Sequence, residues 1–568
     1  MKHPLITTAK TNCMDCCKCI RHCNVKAICV KDGNAYIVPE RCIMDGKCVQ
    51  ICPQKAKNVV SQLDDVKALI KSGETVVMSL APSFPVVVDD WKPFQVYRAI
   101  KELGFADIEE TSIAAYYVAQ IYQKLAFDQE FIISSDCPAV VNLIEIYYPH
   151  LLQYLAPIDS PMDAHAKMLR KGYKEVHNKD IKIVFVGPCI AKIEEARRTE
   201  HAPDFVLSFL DIIQWFADEG INPAELEATP IKSNYTDHAA RMYPIEGGLI
   251  KSVGLEHFSS KYIAATGFER VTEFLKRYDV ESKAVKLAEL MVCEDGCVNG
   301  PLSGNTFPPL ARKKIFDYSK SNEHLPVLFD YDNLDFDLTK TFENRYFKPN
   351  EYTDEQIEEV YRATGKYRKE DELNCGACGY DLCRDKAIAV LDGMAEIDMC
   401  IPYMKKKAES RADKIIDLSP NGVLEVNTND EIIRYNNTFR EMFELPVFNE
   451  IIGKDYKDYI DVPIFRKDRV GKKYFPERSE KLNKQMEISN YSLEEDTIKV
   501  ALVIDTTQKL INKTNLDNLK KETIAKTTEV IHKQMRVAQE IASLLGETTA
   551  ETKVTLLDLM NVFKKEVD

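Results

Sequence analysis

The sequence lacks any apolar run of the roughly 20 residues that a membrane-spanning helix needs, and its first residues show no signal-peptide pattern. It also lacks an excess of positive charge, because 75 Lys and Arg face 89 Asp and Glu and the net charge is −14. This balance disfavours nucleic acid or an anionic membrane as the main partner. We therefore expect a cytoplasmic protein with neither nucleic acid nor membrane as a partner.

Cysteine is missing from the last 168 residues, yet the chain of 568 residues contains 17 of them. Nine lie before residue 53, four lie between 137 and 297, and four lie between 375 and 400. Disulfides are a poor account of thiols in a reducing compartment, whereas cysteines clustered at ligand spacing indicate metal. The length suffices for roughly four domains.

Two interlocked cysteine runs occupy the N-terminus, and the second ends in Cys52-Pro53. They resemble the bacterial two-cluster ferredoxin pattern, in which three cysteines of each run bind one cluster and the fourth crosses to the other. The resemblance implies that the ligands of one 4Fe–4S cluster are Cys13, Cys16, Cys19 and Cys52. It implies that the cysteine ligands of the other are Cys23, Cys42 and Cys48. A small zinc knuckle is the alternative.

Asp45 stands where the second run should have its second cysteine. Either its carboxylate ligates one iron, or that corner is open and the cluster readily becomes 3Fe–4S. Oxygen is a harder ligand than thiolate, so iron should be more labile there. The remaining interpretation is that Asp45 merely faces solvent. Cys17 and Cys29 lie outside the pattern and are interpreted as packing residues.

From about residue 60 to 350, short apolar runs alternate with segments of helical period. The runs at 76–81, 131–133 and 181–186 predict buried strands, and helices are predicted at 91–103, 139–154 and 206–219. This alternation predicts an α/β domain with a mostly parallel sheet covered on both faces. In such sheets ligands collect at the carboxyl ends of strands. An apolar run precedes each of Cys137, Cys189 and the pair Cys293 and Cys297.

The neighbours of these four cysteines carry a resemblance to a known family. Residues 188–195 (Pro-Cys-Ile-Ala-Lys-Ile-Glu-Glu) and 289–300 (Glu-Leu-Met-Val-Cys-Glu-Asp-Gly-Cys-Val-Asn-Gly) resemble the second and third signatures of the iron-only (FeFe) hydrogenase catalytic domain. Residues 134–138 resemble the first signature, and Ala81-Pro82-Ser83 and Gly247-Gly248 match the loops of its cluster pocket.

The resemblance implies an H-cluster, which is a 4Fe–4S cubane joined to a two-iron unit that carries carbon monoxide, cyanide and an amine-bearing dithiolate. Its cubane ligands would be Cys137, Cys189, Cys293 and Cys297, with Cys297 as the bridge. Lys192 and Ser83 would donate hydrogen bonds to cyanides, and Met291 would pack beside the two-iron unit. Separate maturation proteins would be partners of such a chain.

One departure from the family pattern bears on activity. Catalytic members have a second cysteine just before the first ligand, and its thiol passes protons to the bridging amine. Asp136 occupies that position here. A buried carboxyl beside an anionic cluster should have a raised pKa and can relay protons. Alternatively the side chain is turned away, which leaves a slow or rerouted proton path. Gly187 also replaces a methionine of the second signature.

A further run of cysteines follows the central segment, with zinc again the alternative to iron. It resembles a small 4Fe–4S domain of several redox proteins, and its ligands would be Cys375, Cys378, Cys383 and Cys400. One helix is predicted from Asp381 to Met399.

The C-terminal part resembles signalling proteins. Residues 415–439 have the helix, strand, turn, strand, helix pattern that begins a PAS domain. Residues 404–508 contain no His and no Cys, so we interpret this domain as a relay or dimerisation module. From Lys509 the pattern is helical, with a coiled-coil seam at Ile531, Met535, Ala538, Ala542 and Leu545. A second helix is predicted after Gly546, through Phe563.

We divide the chain into five predicted domains. They are a two-cluster ferredoxin-like domain at 1–58, the H-cluster domain at 59–365, a 4Fe–4S domain at 366–403, a PAS domain at 404–508 and a helical coiled coil at 509–568. The chain order suggests an electron path from the Asp45 region to the H-cluster, then to the last cysteine run and the PAS domain.

The whole arrangement resembles the sensory, PAS-bearing subgroup of FeFe hydrogenases. We expect a sensor of H2 or redox state that converts H2 to protons and electrons at low turnover. Expected partners are a ferredoxin-like redox protein, an unidentified signalling kinase or phosphatase and a second copy of the chain. The alternatives are a metabolic hydrogenase linked to ferredoxin, and an iron–sulfur signalling protein without H2 chemistry.

Overall fold

The computed structural model describes residues 4–87, 92–227, 239–255, 259–281, 285–304, 308–321, 325–446, 450–466, 474–493, 497–545, 554–555 and 557–558. The chain divides into two compact units, 1–403 and 404–568. No helix in these described ranges is long and apolar enough to cross a membrane.

The N-terminal module consists of two short antiparallel strand pairs and two single-turn helices. Its elements are β1 (Ile6–Thr8), α1 (Lys18–Arg21), β2 (Ile28–Lys31), β3 (Asn34–Ile37), α2 (Lys47–Gln50) and β4 (Lys57–Val59). Strand β1 pairs with β4 and β2 pairs with β3, both antiparallel. Each helix begins within a cysteine run, so the short helices carry ligand candidates.

The central domain contains two parallel sheets instead of the single sheet that was expected. Its elements are α3 (Leu63–Lys71), β5 (Val76–Leu80), α4 (Pro93–Glu102), β6 (Asp107–Glu110), α5 (Ser112–Asp128), β7 (Ile132–Ile133), α6 (Pro138–Tyr147), α7 (Pro161–His177), β8 (Lys182–Gly187), α8 (Ile190–Arg198), β9 (Phe205–Ser208), α9 (Phe209–Glu219), α10 (Gly248–Ser252), β10 (Tyr262–Thr266), α11 (Phe268–Glu281), β11 (Leu287–Met291) and α12 (Pro308–Ser319).

One sheet has the strand order β6-β5-β8-β9 and the other has the order β10-β11-β7. All residues of β5 and β11 are buried, which is typical of parallel strands covered on both faces. The carboxyl ends of both sheets therefore offer loops for a site.

Two helix predictions in the central domain differ from the structure. Residues 206–208 belong to β9, and α9 starts only after Ser208, whose side chain accepts a hydrogen bond from the Asp211 N–H. The helix expected over 139–154 ends at Tyr147, and a 3-10 segment follows from Pro149, because proline does not continue an α-helix. Trp91, the predicted first residue of the helix at 91–103, lies outside the described residues.

The segment that follows contains α13 (Asp354–Ala363), α14 (Cys383–Leu391) and α15 (Ile401–Asp417). The single helix predicted over 381–399 is wrong. Helix α14 ends at Leu391, Gly393 has a φ of +70°, and a 3-10 turn covers Ile397–Met399. The left-handed glycine ends the helix and turns the chain back toward Cys400.

Unit 2 contains a five-stranded antiparallel sheet of order β13-β12-β16-β15-β14. Its elements are β12 (Gly422–Asn427), β13 (Ile432–Tyr435), α16 (Asn437–Phe443), β14 (Phe475–Ser479), β15 (Lys484–Leu493), β16 (Ile498–Asp505) and α17 (Thr507–Leu545). The expected helix, strand, turn, strand, helix order is present from α15 to α16. The helix predicted from Lys509 begins two residues earlier and reaches Leu545, while Gly546 and most of the second helix lie outside the described residues.

Candidate metal centres

A cavity of about 110 Å³ lies at the carboxyl ends of strands from both central sheets. We call it the central cavity. It brings together most of the side chains that the signatures predicted, although they are up to 214 residues apart in the sequence. Its lining includes Ser83, Asp136, Cys137, Cys189, Lys192, Met291 and Cys297.

Strand ends and helix starts place the cysteines of this cavity. Cys137 and Cys189 are the residues directly before α6 and α8, and Cys297 opens a 3-10 turn just beyond β11. Burial raises the pKa of both Cys137 and Cys189, and backbone N–H groups partly oppose that rise, those of Ala139 and Val140 at Cys137 and those of Ala191 and Lys192 at Cys189. The first turn of a helix therefore offers donors and a favourable dipole to anionic sulfur.

The fourth predicted ligand, Cys293, completes the group. Burial raises its pKa well above the ordinary value, and Cys189, Cys137 and Cys297 raise it further because like charges repel. Burial, and after it the charge of Cys137, raise the pKa of Cys189 to about 11. Cys293 does not itself line the central cavity, but it lies close enough to the three thiols that do to interact with their charge. Four thiols related in this way fit the corners of a cubane, whose irons would neutralise that repulsion.

A buried network of charges holds Lys192 against the cavity. Its Nζ donates to Glu195 Oε2 at 2.7 Å and to the backbone oxygen of Asp136 at 3.2 Å. Lys340 donates to the other oxygen of Glu195 at 2.7 Å and to Asp163 at 2.8 Å. Burial opposes charge on Glu195, but Lys192 and Lys340 outweigh it and bring its pKa to about 2. The network therefore holds Lys192 as a positioned cation.

Asp136 lines the cavity, as the first signature implied. Burial raises its pKa to about 7, and Lys192 and a hydrogen bond from the Tyr122 hydroxyl oppose that rise. The same hydroxyl accepts from the backbone N–H of Ser135 at 2.8 Å. Asp136 also raises the pKa of buried Glu289, although burial is the larger cause there. The carboxyl is thus directed toward the cavity instead of solvent.

Ser83 and Met291 also line the central cavity. Ser83 is 2% exposed and precedes a 3-10 turn after β5, and Met291 is the last residue of β11. A polar donor and a soft thioether therefore face the same cavity from different sheets.

The first N-terminal ligand set also surrounds a small cavity, which we call the first cradle. Its lining includes Cys13, Cys16, Cys19 and Cys52, together with the off-pattern Cys17. Buried Lys57 lowers the pKa of Cys19 and of Cys48, although burial raises both. Lys57 thus places one positive charge near both N-terminal ligand sets.

The second N-terminal set, the second cradle, consists of Cys23, Cys42, Cys48 and Asp45. Burial raises the pKa of all three thiols, and the nearby Asp45 raises each of them as well. The Asp45 carboxylate accepts a hydrogen bond from the Lys47 N–H at 3.3 Å. Asp45 is therefore gathered with the cysteines, which disfavours the interpretation that it merely faces solvent.

The last run forms a third cradle, a cavity of about 30 Å³ whose lining includes Cys375, Cys378, Cys383 and Cys400. Lys366 donates to the Cys400 sulfur at 3.2 Å. Lys386 also lines this cavity, and burial lowers its pKa. Two lysines beside four thiols offset the negative charge that thiolate ligands bring.

In the described residues, no three His, Cys, Asp or Glu side chains converge closely enough to bind a single metal ion. Cubane ligands are spread more widely than the ligands of one ion, because each binds a different corner.

Sequence reasoning missed the partners that position these groups, namely Tyr122, Glu195, Lys340 and Lys57. Glu195 was visible as the last residue of the second signature. Lys340 lies 145 residues from Glu195, and no sequence pattern links the two.

Comparisons with known proteins match three parts of the chain. Residues 74–301 match the family model "Iron only hydrogenase large subunit, C-terminal domain". Residues 371–402 match a family described as an Fe-S cluster, and residues 35–57 match "4Fe-4S binding domain".

The central domain is homologous to that of the iron-only hydrogenases. Iron hydrogenase 1 of Clostridium pasteurianum is 25% identical over 425 residues, which is 61% of this chain and 74% of that protein. The FeFe-hydrogenase HydA1 of Chlamydomonas reinhardtii is 16% identical with a TM-score of 0.41, over 51% of this chain and all of that one.

Solved PAS domains are weaker structural matches to a part of this chain. The PAS domain of Bordetella pertussis BvgS is 12% identical with a TM-score of 0.15, over 20% of this chain and 98% of that domain.

The three family matches together support iron–sulfur clusters as the cofactors of this hydrogenase homologue.

Proposed function

We propose that this chain activates H2 at an H-cluster in the central cavity and acts as a sensor of H2 or redox state. The observation that carries the proposal is the convergence of Cys137, Cys189 and Cys297 with Lys192 and Asp136 on one cavity. Cys293 lies close enough to the other three thiols to share their charge repulsion. An iron-only hydrogenase homology covers this same segment.

The residues present fit such a cluster. Cys137, Cys189, Cys293 and Cys297 would hold the cubane, with Cys297 as the bridge to the two-iron unit. When bound, the cluster supplies the chemistry that separates H2 into two protons and two electrons. Lys192 and Ser83 would donate hydrogen bonds to its anionic ligands, and the Lys192 charge is maintained by Glu195. Met291 would exclude water from one side of the cavity.

Asp136 would move protons at its carboxyl oxygens. One of these oxygens is buried without a hydrogen-bond partner in the described residues, so its capacity to accept a hydrogen bond is left for a group bound beside it. A carboxyl in the place of a thiol changes the acidity and reach of the relay. This departure supports a slow, sensory role over fast metabolic turnover.

The remaining modules would report on the cluster state. We propose 4Fe–4S clusters in the first and third cradles and an Asp45-ligated or 3Fe–4S cluster in the second. Residues 404–508 would be a PAS module, and α17, with the Ile531 and Met535 seam, would pair with a second copy of the chain. We propose that the domains end at residues 58, 365, 403 and 508, as the sequence predicts.

Infrared spectroscopy of the chain after maturation tests the proposal. Bands of iron-bound carbon monoxide and cyanide, lost in Cys297→Ala, would support an H-cluster. Their absence in the wild type would favour an iron–sulfur signalling protein without H2 chemistry. If the bands are present and H2 turnover equals that of metabolic enzymes with ferredoxin as acceptor, the sensory role is wrong.

A further inference from the structure

The third cradle is docked on the N-terminal module, although the chain reaches it only after the central domain. Lys26 donates from Nζ to the backbone oxygen of Gly379 at 2.8 Å. Arg21 donates to the oxygen of Ala377 at 2.9 Å. Both oxygens belong to the loop between Cys375 and Cys383. The ligand loop itself therefore contacts α1 and the residues that follow it.

A second set of contacts joins the N-terminal module to residues 392–396, which lie between the third-cradle ligands Cys383 and Cys400. The Val30 N–H donates to the Met394 oxygen at 3.0 Å, and the Asp32 N–H donates to Glu396 at 2.7 Å. Arg41 forms a salt bridge of 2.8 Å with Asp392, and their side chains are 16% and 8% exposed. A largely buried ion pair and several backbone bonds make this a fixed interface.

The surroundings of Gly379 show how closely the third-cradle loop packs against the N-terminal module. Its φ is +95°, and a Cβ at this position would lie 2.9 Å from the Ile20 Cγ2 atom and 3.1 Å from the Arg21 nitrogen. Ile20 is fully buried and lines the first cradle next to Cys19. Only one side chain therefore separates the Cys378 loop from the first cradle.

The second cradle makes the corresponding approach to the central cavity. A Cβ on Gly46, whose φ is +71°, would lie 2.6 Å from Pro301 and 2.7 Å from the Ile190 Cδ1 atom. Ile190 is the residue after Cys189. Gln50 adds a hydrogen bond of 3.2 Å to the Asn299 oxygen, two residues beyond Cys297. The loop that carries Asp45 thus contacts the ligand loops of the central cavity.

We propose that electrons pass between the central cavity and the third cradle only by way of the second and first cradles. The path thus departs from the chain order, in which the third cradle follows the central domain directly. This inference rests on the proposed function, because oxidation of H2 at the central cavity is the source of the electrons. H2 would release two protons to solvent and two electrons, and each electron would reduce one iron–sulfur cluster at a time along the path. The third cradle, whose Cys400 directly precedes α15, would be the last cluster reached.

The first test does not depend on H2. The full-length chain is reconstituted with iron and sulfide alone, reduced with dithionite and examined by electron paramagnetic resonance. Cys378→Ser should narrow the spin-coupled signal of the first-cradle cluster and leave the central cubane signal unchanged. Gly379→Ala should weaken the same coupling, whereas Gly393→Ala should not. Gly393 also has a positive φ, but a Cβ there meets nothing within 4 Å. Coupling of the third-cradle cluster to the central cubane instead would overturn the proposal.

The second test uses the matured chain under H2. Gly46→Ala should slow reduction of the third-cradle cluster by H2 at least tenfold, while dithionite still reduces it. The matched control is Gly33→Ala, which has a positive φ in the same module and open space around its Cβ. An unchanged rate in Gly46→Ala would overturn the path through the second cradle. If wild type does not react with H2, the proposed function fails, and the dithionite test alone decides the path.

Discussion

Glu195 offers the sharpest test of how the central cavity is held together. Its side chain is 6% exposed and accepts hydrogen bonds of 2.7 Å from both Lys192 and Lys340. These partners lower its pKa from the ordinary 4.5 to about 2. At about 1.4 kcal/mol per pH unit, the difference corresponds to about 3 kcal/mol of stability at neutral pH. Breaking a buried ion pair from one side costs a similar amount, about 3–5 kcal/mol.

Glu195→Gln should therefore lower the melting temperature of the central domain by roughly 6–12 °C at pH 7. The chain has only two tryptophans, Trp91 and Trp215, and both lie in this domain, so tryptophan fluorescence of the metal-free chain follows it selectively. The matched control is Glu200→Gln, because the Glu200 side chain is 90% exposed.

The pH dependence of this effect has a definite sign. A carboxyl with a lowered pKa stabilises the folded state above its unfolded pKa and loses that contribution as pH falls through the folded value. The difference between Glu195→Gln and wild type should be complete above about pH 4.5 and shrink toward pH 2. A melting temperature within 2 °C of wild type at pH 7, or a difference that grows on acidification, would refute the ion-pair account.

Three further predictions concern the metal centres. Cys297→Ser should abolish H2 activation while the N-terminal clusters remain reducible, and substantial remaining activity would contradict the H-cluster proposal. Mild oxidation of wild type should give a 3Fe–4S resonance signal that Asp45→Cys removes, and no signal with any oxidant would leave Asp45 without a role at iron. Asp136→Cys should raise H2 turnover and Asp136→Ala should lower it, because a proton-transfer group is commonly worth ~10²–10⁴ in rate. A slower Asp136→Cys variant would mean that the carboxylate is itself a tuned relay.

Much of the local structure could be predicted from the sequence. The buried runs at 76–81 and 181–186 are strands because continuous apolar residues suit a parallel sheet covered on both faces. The alternation of strands and helices also predicted that Cys137 and Cys189 would lie at strand ends. The resemblance of the residues around these cysteines to the hydrogenase signatures, and not their spacing, implied which side chains would come together at the central cavity.

Long-range assembly could not be predicted in the same way. The division into two sheets depends on the pairing of β7 with β11, which lie more than 150 residues apart. The docking of the third cradle depends on Lys26 and Gly379, separated by 353 residues. Hydrophobic period and cysteine spacing report only on residues that are close together in the sequence. They therefore predicted the order of the cysteine runs along the chain, but not which cradles lie next to one another in the fold.

Because the central domain contains two sheets, a bound cubane would also connect separate parts of the domain. Cys189 follows a strand of one sheet, whereas Cys137 and Cys293 follow strands of the other. A cubane bound by all of them would act as a cross-link between sheets, closing chain loops of 52 and 104 residues. In the chain-entropy account of disulfides, loops of this length are each worth at most about 4–5 kcal/mol. Iron loading would then add a covalent tie between two sheets that already share a buried apolar core, in which Val77 and Ile183 of one sheet pack with Ile132 and Leu287 of the other.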